Sequence, residues 1–535
     1  MLRAPQPHSG ISFEFRYLER SRACAPLKRR AASRICARGP SSSDEPSSVL
    51  ACLPAAIDNA ARRFVQLLAV VRTSFVTLCS GREEFAALAA ISANERWSGS
   101  SMWRSLTVSV LLLVASGRDV GSRIYIESST DDWKAVPSFT TKANLDSLEP
   151  ACRISLHRDL TIVQPLLLEP GSVEFVWPRL NSTMIALDYG QPVELYCSHG
   201  FRKGSPVGSS KSVTVTCEGD DELGYRSERH NISTFACQRP VFHVAERTAG
   251  HCFGNGTIVR VGFDLGEGRF AQLYEACFDE TLLASHYVKH RLTAHNDHHQ
   301  RAVKRPSFLQ GAFYGDLKMG PLYSFTAQHA TLERLLGSRA RADALLDSKK
   351  GMFFARGHLA AKSDFVFGSH QRASFWLMNV APQWQRFNGL NWQRIETGVK
   401  SYVADRHLQL TVYTGTYGVL ELPDGNGDPR EIFLDFEPTR DPPGRVPVPR
   451  LFYKVLIDEE HQAGLALVGV NNPHATPEEI AEQYVICEDI SGKIDWLRWR
   501  RHSIADGYSY ACDVNDFNDV TGHLVLDKPI VNLLL

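Results

Sequence analysis

The middle of the chain brings together residue types that can hydrolyse a phosphodiester bond. Arg356, Gly357 and His358 are consecutive, and Asn388 follows on the same segment. A neutral histidine is a suitable base for activating water near neutral pH, and an arginine stabilises the charge that grows on phosphoryl oxygens. The amide oxygen of an asparagine is a hard ligand, and Mg²⁺ needs few protein ligands because it keeps most of its waters. This set predicts metal-assisted phosphodiester hydrolysis.

Neighbouring elements must position these side chains. The sequence predicts a strand over Met352–Ala355 that leads into Arg-Gly-His, and a strand over Phe375–Asn379 that ends before Pro382. Apolar residues at helical spacing predict a helix that begins near Asn388; they are Ile395, Val399, Tyr402 and Val403. Asn388, Trp392 and Glu396 are four residues apart, so they share one face of this helix, with Trp392 expected to pack rather than react.

Further elements follow from periodicity. Helical spacing predicts helices over Glu280–His290 and Leu332–Leu346. Alternation predicts strands around Leu408–Val412 and Leu451–Ile457, and Leu465–Val470 is an apolar strand candidate. Thr476-Pro477-Glu478-Glu479 has the cap, proline and glutamate that begin a helix.

The segment around Arg-Gly-His resembles the DNA/RNA non-specific endonuclease family, the ββα-metal nucleases. The gaps of nine residues from Asn379 to Asn388 and of eight from Asn388 to Glu396 match the family pattern. The other matching residues are Arg356 to Ala360, Val380 to Gln383, Phe387 and Trp392. The looser resemblance runs from about residue 244 to residue 502.

The resemblance implies a role for each site residue. His358 would be the general base and Asn388 the direct metal ligand. Arg356 would contact the scissile phosphate, Asn379 would position groups at the site, and Glu396 would hold metal-bound water. It further implies Mg²⁺ as cofactor with Mn²⁺ as a substitute, and products that end in 5′-phosphate.

The implied fold class is α+β, a ββα-metal nuclease domain whose central, mainly antiparallel sheet is flanked by helices. Lys454–Ile457 and Val468–His474 are similar to the arthropod secreted double-stranded ribonucleases in particular. RNA and DNA are therefore the expected substrates, with double-stranded RNA favoured. One departure is Ala355, where many family members have Asp before Arg-Gly-His. The arthropod branch commonly carries Ala there, so we do not interpret this as inactivation.

Charge places limits on how nucleic acid would be bound. The 535 residues carry 59 basic and 59 acidic side chains, so there is no global positive surplus, and binding must depend on local basic patches. Arg394 and Lys400, beside Glu396, are candidates for substrate contacts, although solvated helix residues explain them equally well. Other clusters that could follow a phosphate backbone are Arg301/Lys304/Arg305, Lys349/Lys350 and Arg498/Arg500/Arg501. Trp496 and Trp499 are better explained by core packing than by base stacking.

The N-terminal third divides into segments of different composition. Residues 1–101 are predicted to be a non-globular extension, an artefact of the gene model or an alternative start. Residues 102–117 have the basic start, apolar stretch and small residues of a signal peptide, with a buried core helix or a transit peptide in residues 1–40 as the alternatives. Residues 118–243 are predicted to form a disulfide-bearing β-rich domain, and residues 244–535 the nuclease domain.

Cysteine usage agrees with secretion. Eight cysteines follow the predicted signal peptide, and an even number in a secreted chain suggests disulfides. Their connectivity does not follow from the sequence, but Cys252–Cys277 and Cys487–Cys512 would close short loops. Sequons at Asn181, Asn231 and Asn255 add support. We therefore expect an extracellular protein without a membrane association. Its oligomeric state does not follow from the sequence.

Two other functions compete with a nuclease. One is a catalytically degenerate nucleic-acid-binding protein that kept the fold. The other is a zinc hydrolase built on a histidine cluster, since His286 and His290 are four residues apart and His295, His298 and His299 follow. No glutamate adjoins the pair as in HExxH metalloproteases. We interpret the cluster as a solvated, pH-sensitive positive patch.

Overall fold

The computed structural model describes residues 152–526 and 528–535 in full. N-terminal to these it describes only the backbone of four strands, β1 (Arg72–Ser80), β2 (Glu84–Asn94), β3 (Ser105–Ala115) and β4 (Arg123–Glu127), which pair antiparallel in this order. The remaining residues of the predicted extension and signal peptide lie outside the described part. Residues 1–143 and 144–535 form separate compact units.

Residues 152–243 are rich in short strands and stapled by two disulfides, Cys152–Cys217 and Cys197–Cys237. The strands are β5 (Cys152–Ser155), β6 (Leu166–Leu168), β7 (Met184–Leu187), β8 (Pro192–Tyr196), β9 (Ser212–Cys217), β10 (Leu223–Tyr225) and β11 (Glu228–His230). Strand β5 pairs with β7, and the others form a sheet of order β11-β10-β9-β8-β6. Their core also includes Phe263 and Phe367 from later in the chain. The domain boundary at residue 243 stays a prediction.

A nine-stranded sheet forms the centre of the C-terminal part. Its order is β12-β13-β14-β15-β18-β23-β24-β25, antiparallel throughout, and the short β26 pairs parallel with β24. The strands are β12 (Val244–His251), β13 (Thr257–Gly266), β14 (Arg269–Asp279), β15 (Ala284–Thr293), β18 (Gln409–Val419), β23 (Pro449–Asp458), β24 (Ala463–Val470), β25 (Ser509–Cys512) and β26 (Asn532–Leu533). Every residue of β23 except Arg450, and every residue of β24, is buried. Such strands read as continuous apolar runs because both of their faces are covered.

Helices and two-stranded ribbons cover this sheet. The helices are α1 (Met319–Leu322), α2 (Phe325–Leu336), α3 (Arg339–Leu345), α4 (Gly368–Ala373), α5 (Gln385–Phe387), α6 (Gln393–Asp405), α7 (Pro477–Glu479) and α8 (Val514–Thr521). The ribbons are β16 (Phe354–His358) with β17 (Val380–Trp384), β19 (Glu421–Pro423) with β20 (Pro429–Glu431), and β21 (Phe433–Phe436) with β22 (Gly444–Pro447). The fold class is therefore α+β, as predicted. Among the described residues, no helix is both long and apolar enough to cross a membrane.

The two faces of the sheet bury different side chains. In β23, Phe452 and Leu456 belong to the core that also holds helix α6 and the β16–β17 hairpin. Tyr453 and Val455 point to the opposite core, under α8. Because side chains alternate along a strand, Lys454 lies on the same face as Phe452 and Leu456. The hairpin and α6 thus share one side of the sheet.

Several elements differ from their prediction. Glu280–His290 is not a helix: it consists of a turn and the first part of β15, whose apolar residues fit the helical period as well as the strand period. Leu332–Leu346 is divided between α2 and α3 by Gly337, which has a φ of 60°. The strand expected over Phe375–Asn379 lies further on as β17, and Pro382 lies inside it. The predicted start at Thr476 is confirmed, with its capping box formed.

The remaining four cysteines also pair. The structure contains Cys252–Cys277 and Cys487–Cys512, which confirms both predicted disulfides. All eight cysteines after residue 151 are therefore bonded. The asparagines of the three sequons, Asn181, Asn231 and Asn255, are exposed.

One buried histidine makes stability sensitive to acid. The ring of His370 is 4.2 Å from that of Phe175 and 4.9 Å from that of Phe367. Both of its nitrogens are buried without a hydrogen-bond partner among the described residues. Burial lowers the pKa of His370 to about 3, and the charge of Arg372 adds to this effect.

Replacing His370 with phenylalanine should reduce this sensitivity. Between about pH 6.5 and pH 3 the unfolded chain binds a proton at His370 that the folded chain does not, so stability is lost as the pH falls. We expect the free energy of unfolding of His370→Phe to fall less steeply with acid, by about 1.4 kcal/mol per pH unit. Urea unfolding between pH 7 and pH 4 measures this. Equal slopes for the variant, the wild type and the exposed control His199→Phe would contradict the assignment.

Candidate active site

The β16–β17 hairpin carries the Arg-Gly-His motif. Arg356 pairs with Pro382, Gly357 with Ala381 and His358 with Val380. Because side chains alternate along a strand, Arg356 and His358 share one face, and Gly357 lies on the other. On that other face the side chain of Gln383, which is fully buried, covers Gly357.

Asn379 holds the chain where it leaves the hairpin. Its amide oxygen accepts from the backbone N–H of Ala360 at 2.9 Å. Its amide nitrogen donates to the carbonyls of Ala360 and Ser374, both at 2.9 Å. The side chain is fully buried, and these three bonds occupy it with backbone groups. Asn379 therefore fixes the segment that follows His358.

His358 lies between two phenylalanines. Its ring is 5.4 Å from that of Phe308 and 5.2 Å from that of Phe375. Burial lowers the pKa of His358 to about 4, with the charge of Arg305 as the next cause. Its Nε2 is enclosed and has no partner in the described part of the chain. The imidazole is therefore neutral at neutral pH.

Arg356 is held by aromatic rings beside His358. Its guanidinium lies 4.5 Å from the ring centre of Tyr323 and 5.5 Å from that of Phe308, distances at which a cation is attracted to a ring. It also donates to the carbonyl of Gly320 at 2.9 Å. Phe308 thus contacts both Arg356 and His358, a connection the sequence analysis did not find.

A π turn over Asn388–Trp392 links α5 to α6. In a regular α-helix, eight residues turn about 80° beyond two full turns, which would separate Asn388 from Glu396. A π turn has wider i→i+5 hydrogen bonding than an α-helix, so its residues turn less about the axis and this offset becomes smaller. That Asn388 and Glu396 share one face stays a prediction, with which the π turn is consistent.

Packing secures this helix against the sheet. Trp392 is fully buried, and its ring is 5.5 Å from that of Phe387 and 5.6 Å from that of Phe452. This confirms that Trp392 is a packing residue. Asn388, in contrast, is half-buried, and its amide forms no hydrogen bond with other described residues. It is therefore available to a ligand.

Charged side chains are buried beneath Glu396. Burial raises the pKa of Glu396 to about 8; Lys454 and Lys400 oppose this shift, whereas the charge of Asp364 adds to it. Lys454 is buried on β23 and donates to the hydroxyl of Thr414 at 2.7 Å. The charge of Asp364 also opposes the lowering of the pKa of His358, so the same carboxylate acts on both His358 and Glu396.

The histidines of β15 are packed in the interior and do not form a solvated patch; only His290 belongs to the layer beneath Glu396. His290 is buried, and its Nε2 lies 3.2 Å from a carboxylate oxygen of Asp364. His286 is mostly buried, 3.6 Å from Asp279. The solvated-patch interpretation is wrong for both, because each ring is packed. His290 lies against Phe365 on the helix side of the sheet, whereas His286, at a register shift in β15, lies against Phe253 and His523 on the opposite face. Within residues 152–526 and 528–535, no group of three or more His, Cys, Asp or Glu side chains is arranged to hold a metal ion.

The expected substrate residues lie on different flanks of α6. Lys400 donates to the carbonyl of Ser363 at 3.2 Å, next to Asp364. Arg394 lies near the amide oxygen of Asn391, at 3.4 Å. Arg305 is exposed and close enough to His358 to lower its pKa. Of the three basic clusters, the one that contains Arg305 is therefore the one whose charge acts on the candidate general base, His358.

The hairpin, the helix and the antiparallel sheet together define a ββα nuclease fold. The sequence profile of the family described as DNA/RNA non-specific endonuclease matches residues 254–527. This is more than half of the chain, and it includes every residue of the candidate site. The chain belongs to the DNA/RNA non-specific endonuclease family.

Its relatives include insect salivary proteins. The chain is 27% identical over 328 residues to a salivary endonuclease of Lutzomyia longipalpis, covering 61% of this chain and 72% of the relative. It is 22% identical over 390 residues to the salivary protein Tsal2A of Glossina morsitans morsitans, covering 72% and 94%. A chain of the solved EndoG/EndoGI complex matches 49% of this chain over 87% of its own length, with 20% sequence identity and a TM-score of 0.30. A TM-score this low supports no argument.

The contact between Gly357 and Gln383 can be tested by adding one methyl group. A Cβ on Gly357 would lie 2.7 Å from the Cβ of Gln383, and Gln383 is enclosed. We expect Gly357→Ala to lower the free energy of unfolding by about 1–3 kcal/mol and to reduce activity. Gly492→Ala is the matched control, because nothing lies within 4 Å of a Cβ there. Thermal unfolding of both variants decides; equal stability would show that the hairpin tolerates a side chain at 357.

Proposed function

We propose that the protein is a secreted, metal-dependent endonuclease that hydrolyses nucleic acids with little sequence specificity, with double-stranded RNA as the favoured substrate. The observation that carries the proposal is the placement of a neutral His358 beside Arg356 on one strand face, with Asn388 and Glu396 on the adjoining helix. The charge of Asp364 acts on both His358 and Glu396.

His358 would act as the general base. Its Nε2 is enclosed without a partner among the described residues, so we assign to Nδ1 the role of taking a proton from water. Arg356 would bind the scissile phosphate and stabilise its growing charge. Asn379 would act as a positioning residue, because its amide is occupied by backbone groups.

The residues fit a hard divalent cation such as Mg²⁺, for which Mn²⁺ would substitute. The amide of Asn388 forms no hydrogen bond with other described residues, and its oxygen is a suitable ligand. Burial raises the pKa of Glu396 to about 8, and a cation close by would favour its ionised form. When bound, the metal would act as a Lewis acid on the phosphoryl group.

The product ends, the substrate preference and the secretion that we propose rest on the family and on the relatives. Products with 5′-phosphate and a preference for double-stranded RNA over DNA and single-stranded RNA follow from the resemblance to the arthropod branch. Secretion is supported by four disulfides, three exposed sequon asparagines and salivary relatives. Cleavage would then take place outside the cell.

Removing the base should abolish most of the activity. We expect His358→Ala to lower kcat for long double-stranded RNA by about 10²- to 10⁴-fold, while KM changes little because the imidazole acts in the chemical step. His199→Ala, an exposed histidine far along the chain, is the control and should cleave like the wild type. If both variants cleave at the wild-type rate, the chain is the degenerate binding protein or uses another base.

The metal site can be tested separately. EDTA should stop cleavage, and Mg²⁺ or Mn²⁺ should restore it. Asn388→Ala should need a higher Mg²⁺ concentration for half-maximal rate, because it loses the direct ligand. Asn515→Ala, on α8, is the control. Activity that persists in EDTA, or an unchanged Mg²⁺ requirement in Asn388→Ala, would remove this assignment.

A further inference from the structure

The loop from Trp496 to His502, here called the arginine loop, places cations beside helix α6. Its sequence is Trp-Leu-Arg-Trp-Arg-Arg-His, and Arg498 and Arg500 are exposed. Arg386 and Arg394 add two further charges from the helix side. The segment 494–507 contains two carboxylates, Asp495 and Asp506.

Asp506 neutralises only part of this charge. It is nearly buried and lies 3.0 Å from Arg386 and 3.3 Å from Arg500. Burial favours the neutral acid, but hydrogen bonds from Arg386, Ser503 and Arg500 hold the pKa of Asp506 below its usual range. No ion pair is found for Arg498 among the described residues, so it remains free to bind an anion.

The loop is fixed rigidly to the helix. Asn391, fully buried, donates to the carbonyls of Arg500 at 2.8 Å and Gly507 at 2.7 Å, and accepts from the N–H of Arg500 at 3.0 Å. The ring of Trp496 stacks on that of Tyr402 at 4.2 Å. Preorganised cations bind without first paying to order the loop.

The loop occupies the flank of α6 that faces away from Glu396 and Lys400. Each helical residue turns about 100°. Gly398, which is in close contact with Leu497 of the loop, is two residues from both Glu396 and Lys400, so it lies about 160–200° from them around the helix. Cations therefore lie on both flanks of the helix.

The surface between the two flanks is largely uncharged. Its exposed residues on α6 are Gln393, Thr397 and Ser401, with one carboxylate, Asp405, at the C-terminal end of the helix. An α-helix is about 10–12 Å wide, and phosphates of one strand repeat roughly every 3.4 Å along a duplex. A backbone bound near Glu396 would therefore reach the loop about three nucleotides further on.

We propose that the arginine loop is a second binding site for the phosphodiester backbone, which holds phosphates flanking the scissile one. The inference deepens and rests on the proposed nuclease function. It explains how a chain with no net charge could bind a polyanion, because the loop holds several arginines beside the active-site helix. Long substrates would then be favoured over short ones, because only they reach from the catalytic residues to the loop.

The test compares two pairs of substitutions in the full chain. Arg498→Gln with Arg501→Gln removes two charges from the loop but keeps Arg500 and its ion pair. Arg202→Gln with Lys203→Gln removes two exposed charges from the β-rich region. Binding to a labelled long RNA duplex is measured in EDTA at several salt concentrations. Cleavage is measured in Mg²⁺ on the duplex and on the small diester bis(p-nitrophenyl) phosphate.

We expect the loop variant to bind the duplex roughly tenfold more weakly, with a salt slope smaller by about two. Its cleavage of the small diester should equal that of the wild type, and the control pair should change neither. Unchanged duplex affinity, or an equal loss in the control, would overturn the proposal. If the wild type cleaves neither substrate but the loop variant still loses duplex binding, the loop stands and the proposed nuclease function fails.

Discussion

The site depends on the three hydrogen bonds of Asn379. The β16–β17 pairing ends at His358 and Val380, and beyond it a backbone bond joins the N–H of Leu359 to the carbonyl of Asn379. The buried amide of Asn379 binds two stretches of backbone: Ala360, which follows the motif, and Ser374, which precedes β17. A buried amide that lost these partners would cost about 1–3 kcal/mol for each group left unsatisfied. Both the backbone and the side chain of Asn379 therefore hold the chain after His358.

A second constraint is electrostatic. Lys454, Asp364, His290 and Glu396 are ionisable groups enclosed between the sheet and α6, where burial disfavours charge. His290 and Lys454 hold the pKa of Asp364 below its usual range against the effect of burial, and Lys454 opposes the rise in the pKa of Glu396. The layer keeps charge directly beneath the candidate metal ligands. If this layer were apolar, Lys454 would no longer oppose the effect of burial, and the pKa of Glu396 would be higher still.

The candidate catalytic residues could be proposed from the sequence because they are close together in it and few in type. Helix α6 followed from its apolar period, and the strands of the central sheet from their alternation and apolar runs. The π turn was not predictable, because Asn388 to Trp392 fits an α-helix equally well and tertiary packing of Trp392 decides between them. The strand β15 was mistaken for a helix because its histidines and apolar residues fit both periods. Asp364, Lys454 and Phe308 were missed since their roles arise from contacts across the sheet.

The alanine before Arg-Gly-His has a structural meaning that the sequence alone could not give. Ala355 pairs with Gln383, and alternation puts both on the face opposite to Arg356 and His358. A carboxylate at 355 would therefore point toward Gln383, whose two amide atoms are buried without a partner among the described residues. Without this carboxylate, the amide of Gln383 lacks a hydrogen-bond partner. The effect on His358, which would lose only a neighbouring charge, is less direct. The substitution thus bears on how firmly the hairpin is held, and the base retains its own surroundings.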